Sequence, residues 1–166
     1  MSSIVLIGFM GAGKTTVGKE LVKKGFELID TDAYIEACEK MSISDIFAYE
    51  GEEYFRKKET ELIDKIGEMK PCIVSCGGGM AMREINVEKM KKVGQIVWLT
   101  ATPETIYSHV KDSTNRPLLN GNMNVPYIKS LMDEREPKYR HAADIIIETD
   151  DCTPAQVADK ITKKVK

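Results

Sequence analysis

Apolar residues fall along this chain in two rhythms, short unbroken runs and longer stretches spaced three and four apart. The first run, Ile4-Val5-Leu6-Ile7, has the continuous, β-branched character of a strand buried on both faces. Over 15–24, Val17, Leu21 and Val22 recur at helical spacing while Lys19, Glu20, Lys23 and Lys24 take the other side, which predicts an amphipathic helix. Further strands are predicted over 26–30, 71–76, 95–99 and 144–148. Helices are predicted over 33–40 with Asp32 as N-cap, 42–50 with Ser44 as cap, 52–67, 83–92, 103–111, 125–139 and 153–164. Pro137 is expected to end or kink the seventh of these eight helices. Strands alternating with helices imply an α/β fold of three layers, a parallel sheet wrapped on both faces. With neither repeats nor a linker, residues 1–166 read as one domain.

The polar punctuation between these elements holds the chemistry. Gly8-Phe9-Met10-Gly11-Ala12-Gly13-Lys14-Thr15 follows the first strand and opens the first helix, fitting Gly, any four residues, Gly-Lys-Thr: a P-loop, or Walker A motif. Glycines there let consecutive backbone N–H groups turn inward onto phosphate oxygens at a helix N-terminus. Lys14 would reach the β- and γ-phosphates and Thr15 would ligate Mg²⁺, so the chain is expected to bind a nucleoside triphosphate. Asp30 and Asp32 end the second strand, on the side of a parallel sheet where ligands gather, and two carboxylates there exceed what capping needs. Gly77-Gly78-Gly79 after the third strand suggests a ligand close to the backbone. Over 112–124 the periodicity vanishes, and this polar stretch with Arg116 reads as a mobile lid. On spacing alone Arg56 and Glu59 form an ordinary surface ion pair.

Composition narrows the partners. A net charge of −2 argues against a general affinity for nucleic acid or an anionic membrane. The N-terminal apolar run is too short for a signal peptide or membrane span, so a cytoplasmic location is expected. Cys38, Cys72, Cys76 and Cys152 lack zinc-site spacing and read as scattered thiols, Cys72 and Cys76 on one strand face. Trp98 and His109 read as packing and surface residues. Only five of the 24 basic residues are arginine, so each arginine marks a place where a planar fork has a use.

Taken in order, the P-loop, Asp30-Thr31-Asp32, Phe55-Arg56 with Glu59, the glycine triplet, Arg116-Pro117-Leu118-Leu119 and Arg135-x-Pro137-x-Tyr139 resemble shikimate kinase over nearly the whole chain. The resemblance implies a nucleoside monophosphate kinase-like fold with a five-stranded parallel sheet in the order 2-3-1-4-5. It implies transfer of the γ-phosphoryl of ATP, with Mg²⁺, to the 3-hydroxyl of shikimate, a step toward the aromatic amino acids. By the same resemblance Asp32 holds the acceptor hydroxyl and is the candidate base, Arg56 and Arg135 grip the acceptor carboxylate, and Gly77, Gly78 and Gly79 line its pocket. Gly11, Ala12, Gly13, Lys14, Thr15 and Thr16 hold the nucleotide, Arg116 contacts the transferring phosphate, Asp30 holds Mg²⁺ through water beside Thr15, and Phe47 and Phe55 lie near the acceptor ring. A monomer acting on ATP and shikimate, with no nucleic acid or membrane partner, is expected. The chain departs from the pattern around adenine: neither 111–115 nor 149–154 offers an arginine to stack on the base, leaving Lys111 as a weak substitute. Competing readings are a gluconate or nucleoside monophosphate kinase of the same fold and a catalytically silent nucleotide switch; neither calls for this whole set of motifs.

Overall fold

Successive side chains of β1 (Ser3–Ile7) point to opposite faces, so its apolar run feeds two cores at once. Ile4 and Leu6 pack with Val17 and Leu21 of α1 (Lys14–Val22) and with Val157, Ala158 and Ile161 of α8 (Pro154–Lys164). Val5 and Ile7 join the other core, built from Leu62, Ile63 and Ile66 of α4 (Glu52–Gly67), Val87 and Met90 of α5 (Glu84–Val93), and Tyr139 and Ala142 of α7 (Val125–Ala142). The structure, a computed structural model, describes residues 2–111 and 123–165.

Four more strands complete one parallel sheet: β2 (Leu28–Asp30), β3 (Ile73–Ser75), β4 (Gly94–Thr100) and β5 (Ile145–Glu148). Their order is β2-β3-β1-β4-β5, as the resemblance implied. All five carboxyl ends therefore open on one edge, with the P-loop at its centre. Between β2 and β3 the chain adds α2 (Thr31–Glu39) and α3 (Ile43–Glu50) before α4. A third cluster joins Ile106 and Val110 of α6 (Pro103–Val110) and Ile128 of α7 to Phe9 and Ala12 of the P-loop. No helix among the described residues is long and apolar enough to cross a membrane.

Three local expectations need correction. The N-cap of α2 is Asp30, whose Oδ1 accepts from Ala33 N at 3.1 Å. A carboxylate reaches the amide three residues on, and the helix begins at Thr31, which puts Asp32 inside the first turn. Likewise α3 is capped by Ser42, which accepts from Asp45 N at 3.1 Å, while the Ser44 hydroxyl is buried without a partner among the described residues. Pro137 does not end α7, which runs on to Ala142. The missing amide hydrogen bond is outweighed by burial of Tyr139 and Ala142 beyond it, with Tyr139 stacked on Trp98 at 5.8 Å. Cys72 and Cys76 share one core, as their even spacing required.

Candidate active site

The P-loop leaves β1 and turns into α1 in a space that only glycine fits at Gly11. Its φ is +83°, and a Cβ there would stand 2.6 Å from Val110 Cγ1 of α6. Gly13, at φ 92°, precedes α1 and offers no side-chain cap to its first amides, the groups that suit an anion at a helix N-terminus. Lys14 is buried; its Nζ donates to Gly8 O at 2.7 Å and Phe9 O at 3.0 Å. Thr15 Oγ1 donates to Asp30 Oδ2 at 2.7 Å and lies 3.3 Å from Ser75 Oγ. Asp30 thus uses one oxygen to start α2 and the other to meet the P-loop. Two hydroxyls and a carboxylate are hard oxygen donors, the set that suits Mg²⁺. Ser75 was missed in the sequence, where its only signal is a lone hydroxyl in an apolar strand.

Beside that cluster, the glycine triplet is surrounded by charged side chains, each glycine giving room to a different one. A Cβ on Gly77 would stand 2.5 Å from Asp32 Oδ1 and 3.0 Å from Glu59 Oε2; one on Gly78 would lie 3.2 Å from Met10 N and 3.5 Å from Arg135 Nη1; one on Gly79 would lie 2.5 Å from Arg56 Nη1. Asp32, Arg56 and Arg135, from three different helices, therefore converge on one stretch of backbone. Arg56 donates to Glu59 Oε1 at 2.8 Å, and Glu59 is fully buried, so this is no surface pair. Burial works against the Arg56 charge, but Glu59 and Glu52 outweigh it and raise its pKa. Phe47 and Phe55 flank the guanidinium, 5.9 and 5.4 Å from their ring centres. Arg135 packs over Phe9 at 5.5 Å, and its Nη1 is buried without a hydrogen-bond partner among the described residues.

One cavity of about 750 Å³ runs along this edge, within the range of small-molecule sites. Asp32, Glu36, Gly77 and Gly78 line one end, Gly11 to Thr16 the middle, and Thr105, His109, Cys152 and Pro154 the other end. His109 is exposed, as expected, yet its Nδ1 stands 2.6 Å from Gly11 O; a carbonyl only accepts, so the ring donates there. Asp150 Oδ1 accepts from Thr105 Oγ1 at 2.8 Å and Thr102 N at 3.2 Å, which braces the loop after β5 against the start of α6. No sequence signal marked His109 or this brace. Arg116 and most of the stretch 112–124 lie outside the described residues. Asp30, Asp32, Gly77, Gly78 and the P-loop residues line the cavity, whereas Arg56, Gly79 and Arg135 do not line it, and both arginines reach toward the glycine triplet.

Comparison with known proteins points to one family. The family model described as shikimate kinase matches residues 10–166. A curated shikimate kinase of Thermodesulfovibrio yellowstonii is 44% identical over 99% of this chain and 95% of its own length. One from a Sulfurihydrogenibium species is 41% identical over 100% and 99%. Among solved structures, a shikimate kinase from Acinetobacter baumannii in complex with shikimate superposes with a TM-score of 0.93 at 34% identity, covering 100% of this chain and 96% of that one.

Proposed function

The chain belongs to the shikimate kinase family, enzymes that phosphorylate shikimate at the expense of ATP, and we propose that it moves the γ-phosphoryl of ATP to the 3-hydroxyl of shikimate with the residues described above. The observation that carries this reading is the convergence of Asp32, Arg56 and Arg135 on the glycine triplet, whose Gly77 and Gly78 line the same cavity as the P-loop. Shikimate is a small carboxylated polyol. Arg56 and Arg135 offer guanidinium donors for its carboxylate, and Arg135 Nη1 is a buried donor in want of an acceptor. With the carboxylate gripped there, a ring hydroxyl falls to Asp32, which orients it and takes its proton as the bond to phosphorus forms and the bond to ADP breaks. Lys14 stabilises charge on the phosphates, joined by Arg116.

Thr15 and Asp30, with Ser75 beside them, would hold Mg²⁺, which would supply neutralisation of phosphate charge. The triphosphate over the P-loop sends the base to the far end of the cavity, between His109 and Pro154. An imidazole face tethered to Gly11 there replaces the stacking arginine that this chain lacks. A single soluble chain suffices for this chemistry, since every proposed residue comes from it. The test is ADP release from Mg²⁺-ATP with no acceptor, shikimate, gluconate or nucleoside monophosphates. Strong stimulation by shikimate alone is expected. Stimulation by another acceptor would reassign Arg56 and Arg135, and nucleotide binding without acceptor-dependent release would point to the silent switch.

A further inference from the structure

Among the described residues, two buried polar atoms at the acceptor end, Arg135 Nη1 and Glu59 Oε2, have no hydrogen-bond partner. An incoming carboxylate supplies what the arginine needs. It does nothing for Glu59, an acid that already faces another acid. Glu59 is 0% exposed, and Oε1 is engaged by Arg56. Oε2 is aimed at Gly77, from the same small volume that Asp32 Oδ1 enters from α2.

The charged and titratable groups around Glu59 are Arg56 on its own helix, Asp32 on α2, Arg83 ahead of α5 and the Cys76 thiol at the end of β3. Beyond Gly78, α7 adds Arg135 and Tyr139. Burial raises the Glu59 carboxyl, Arg56 opposes that, Asp32 adds to it and Arg83 counters, leaving it at about 7. Cys76 stays a neutral thiol because burial pushes its pKa far up. Glu59 is thus the buried acid in this pocket poised to change charge near neutrality.

We propose that Glu59 is a positioning residue that balances the charge of the acceptor pocket, taking up a proton as a carboxylated acceptor docks on Arg56. In the free enzyme the Arg56 guanidinium is shared between Glu59 and Glu52. A bound carboxylate draws on the same guanidinium and adds a second negative charge nearby, so the neutral form of Glu59 gains. The proton sits on Oε2, the oxygen Arg56 leaves unused, facing Asp32. Glu59 keeps its hydrogen bond to Arg56 through Oε1, so the fork stays in place while the surplus charge goes.

This inference rests on the shikimate reading, and one experiment separates the two. Shikimate is titrated calorimetrically into the full chain at pH 7 in phosphate, HEPES and Tris, whose ionisation enthalpies differ. About half a proton should be taken up per shikimate bound, since an acid of pKa near 7 is about half ionised there. Glu59→Gln, which retains an oxygen for Arg56, should bind shikimate with no buffer dependence. Binding heat without buffer dependence in the unaltered chain would overturn the proposal and leave the shikimate reading intact; unchanged uptake in Glu59→Gln would also overturn it. No binding heat, with no shikimate-dependent ADP release, would remove both. If the variant fails to fold, the unaltered chain still decides. Its shikimate KM should climb toward roughly tenfold per pH unit above pH 7 with kcat nearly constant, and a flat KM overturns the proposal.

Discussion

Gly79 stands where Arg56 needs room, and a single methyl group tests that need. A Cβ 2.5 Å from Nη1 must displace the guanidinium from its seat against Glu59. Gly79→Ala is therefore expected to raise the shikimate KM about tenfold or more, the worth of one charge-assisted hydrogen bond of ~1.5 kcal/mol. kcat should change much less, and steady-state rates with shikimate varied would check this; an unchanged KM would mean the fork finds another seat. Asp32→Asn should do the reverse, lowering kcat by roughly 10²-fold or more while nucleotide affinity, read by fluorescence titration, stays put. Near-normal turnover would remove Asp32 from the proton transfer. At this scale the sequence was partly legible. Asp32 stood out because a carboxylate at a strand end is informative, whereas Arg56 and Arg135 were picked out by the family resemblance, since scarcity alone does not choose among five arginines. Burial of Glu59 was not, because a spacing of three residues is the same whether the pair faces solvent or core.

Elements were legible wherever one physical signal dominated. The run Ile4 to Ile7 had to be a strand with two buried faces, and α4 followed its apolar stripe from Glu52 to Gly67. Misplaced caps came from competition: Asp30 and Asp32, or Ser42 and Ser44, satisfy the same rule, and tertiary position chooses between them. The single 3₁₀ turn of Met80–Met82 after the glycine triplet left no periodic trace. Pro137 exemplifies packing overruling local preference, at a cost the helix still bears. Pro137→Ala should raise stability by about 1 kcal/mol or more, read as a shift in the urea midpoint. Arg135 stands two residues earlier, in the turn that lacks the amide bond, so the same substitution should raise the shikimate KM several-fold. A stability gain with KM unchanged would separate the proline from the site.

At the scale of the whole molecule, the sheet order sets which loops meet at its carboxyl edge. Periodicity implied a parallel sheet; the order β2-β3-β1-β4-β5 came from the family resemblance, because strand neighbours leave no mark in a single sequence. Ligands that bridge this edge should stabilise the entire fold. At about a hundred times its dissociation constant, Mg²⁺-ADP should add about 2.7 kcal/mol, roughly 5–10 °C for a chain of this size. A thermal melt with and without ligand checks it, and no shift at saturation would contradict a binding site built from the core's own edge. The crossover between β2 and β3 has a genetic consequence. Asp32, Arg56, Glu59 and the glycine triplet all lie within the continuous run 32–79, while the phosphate machinery begins at Gly8. A lineage could thus acquire a new acceptor by recombining one uninterrupted coding segment, inheriting a phosphoryl donor site in which Ser75 alone travels with the exchanged piece, with Arg135 the one distant codon obliged to follow.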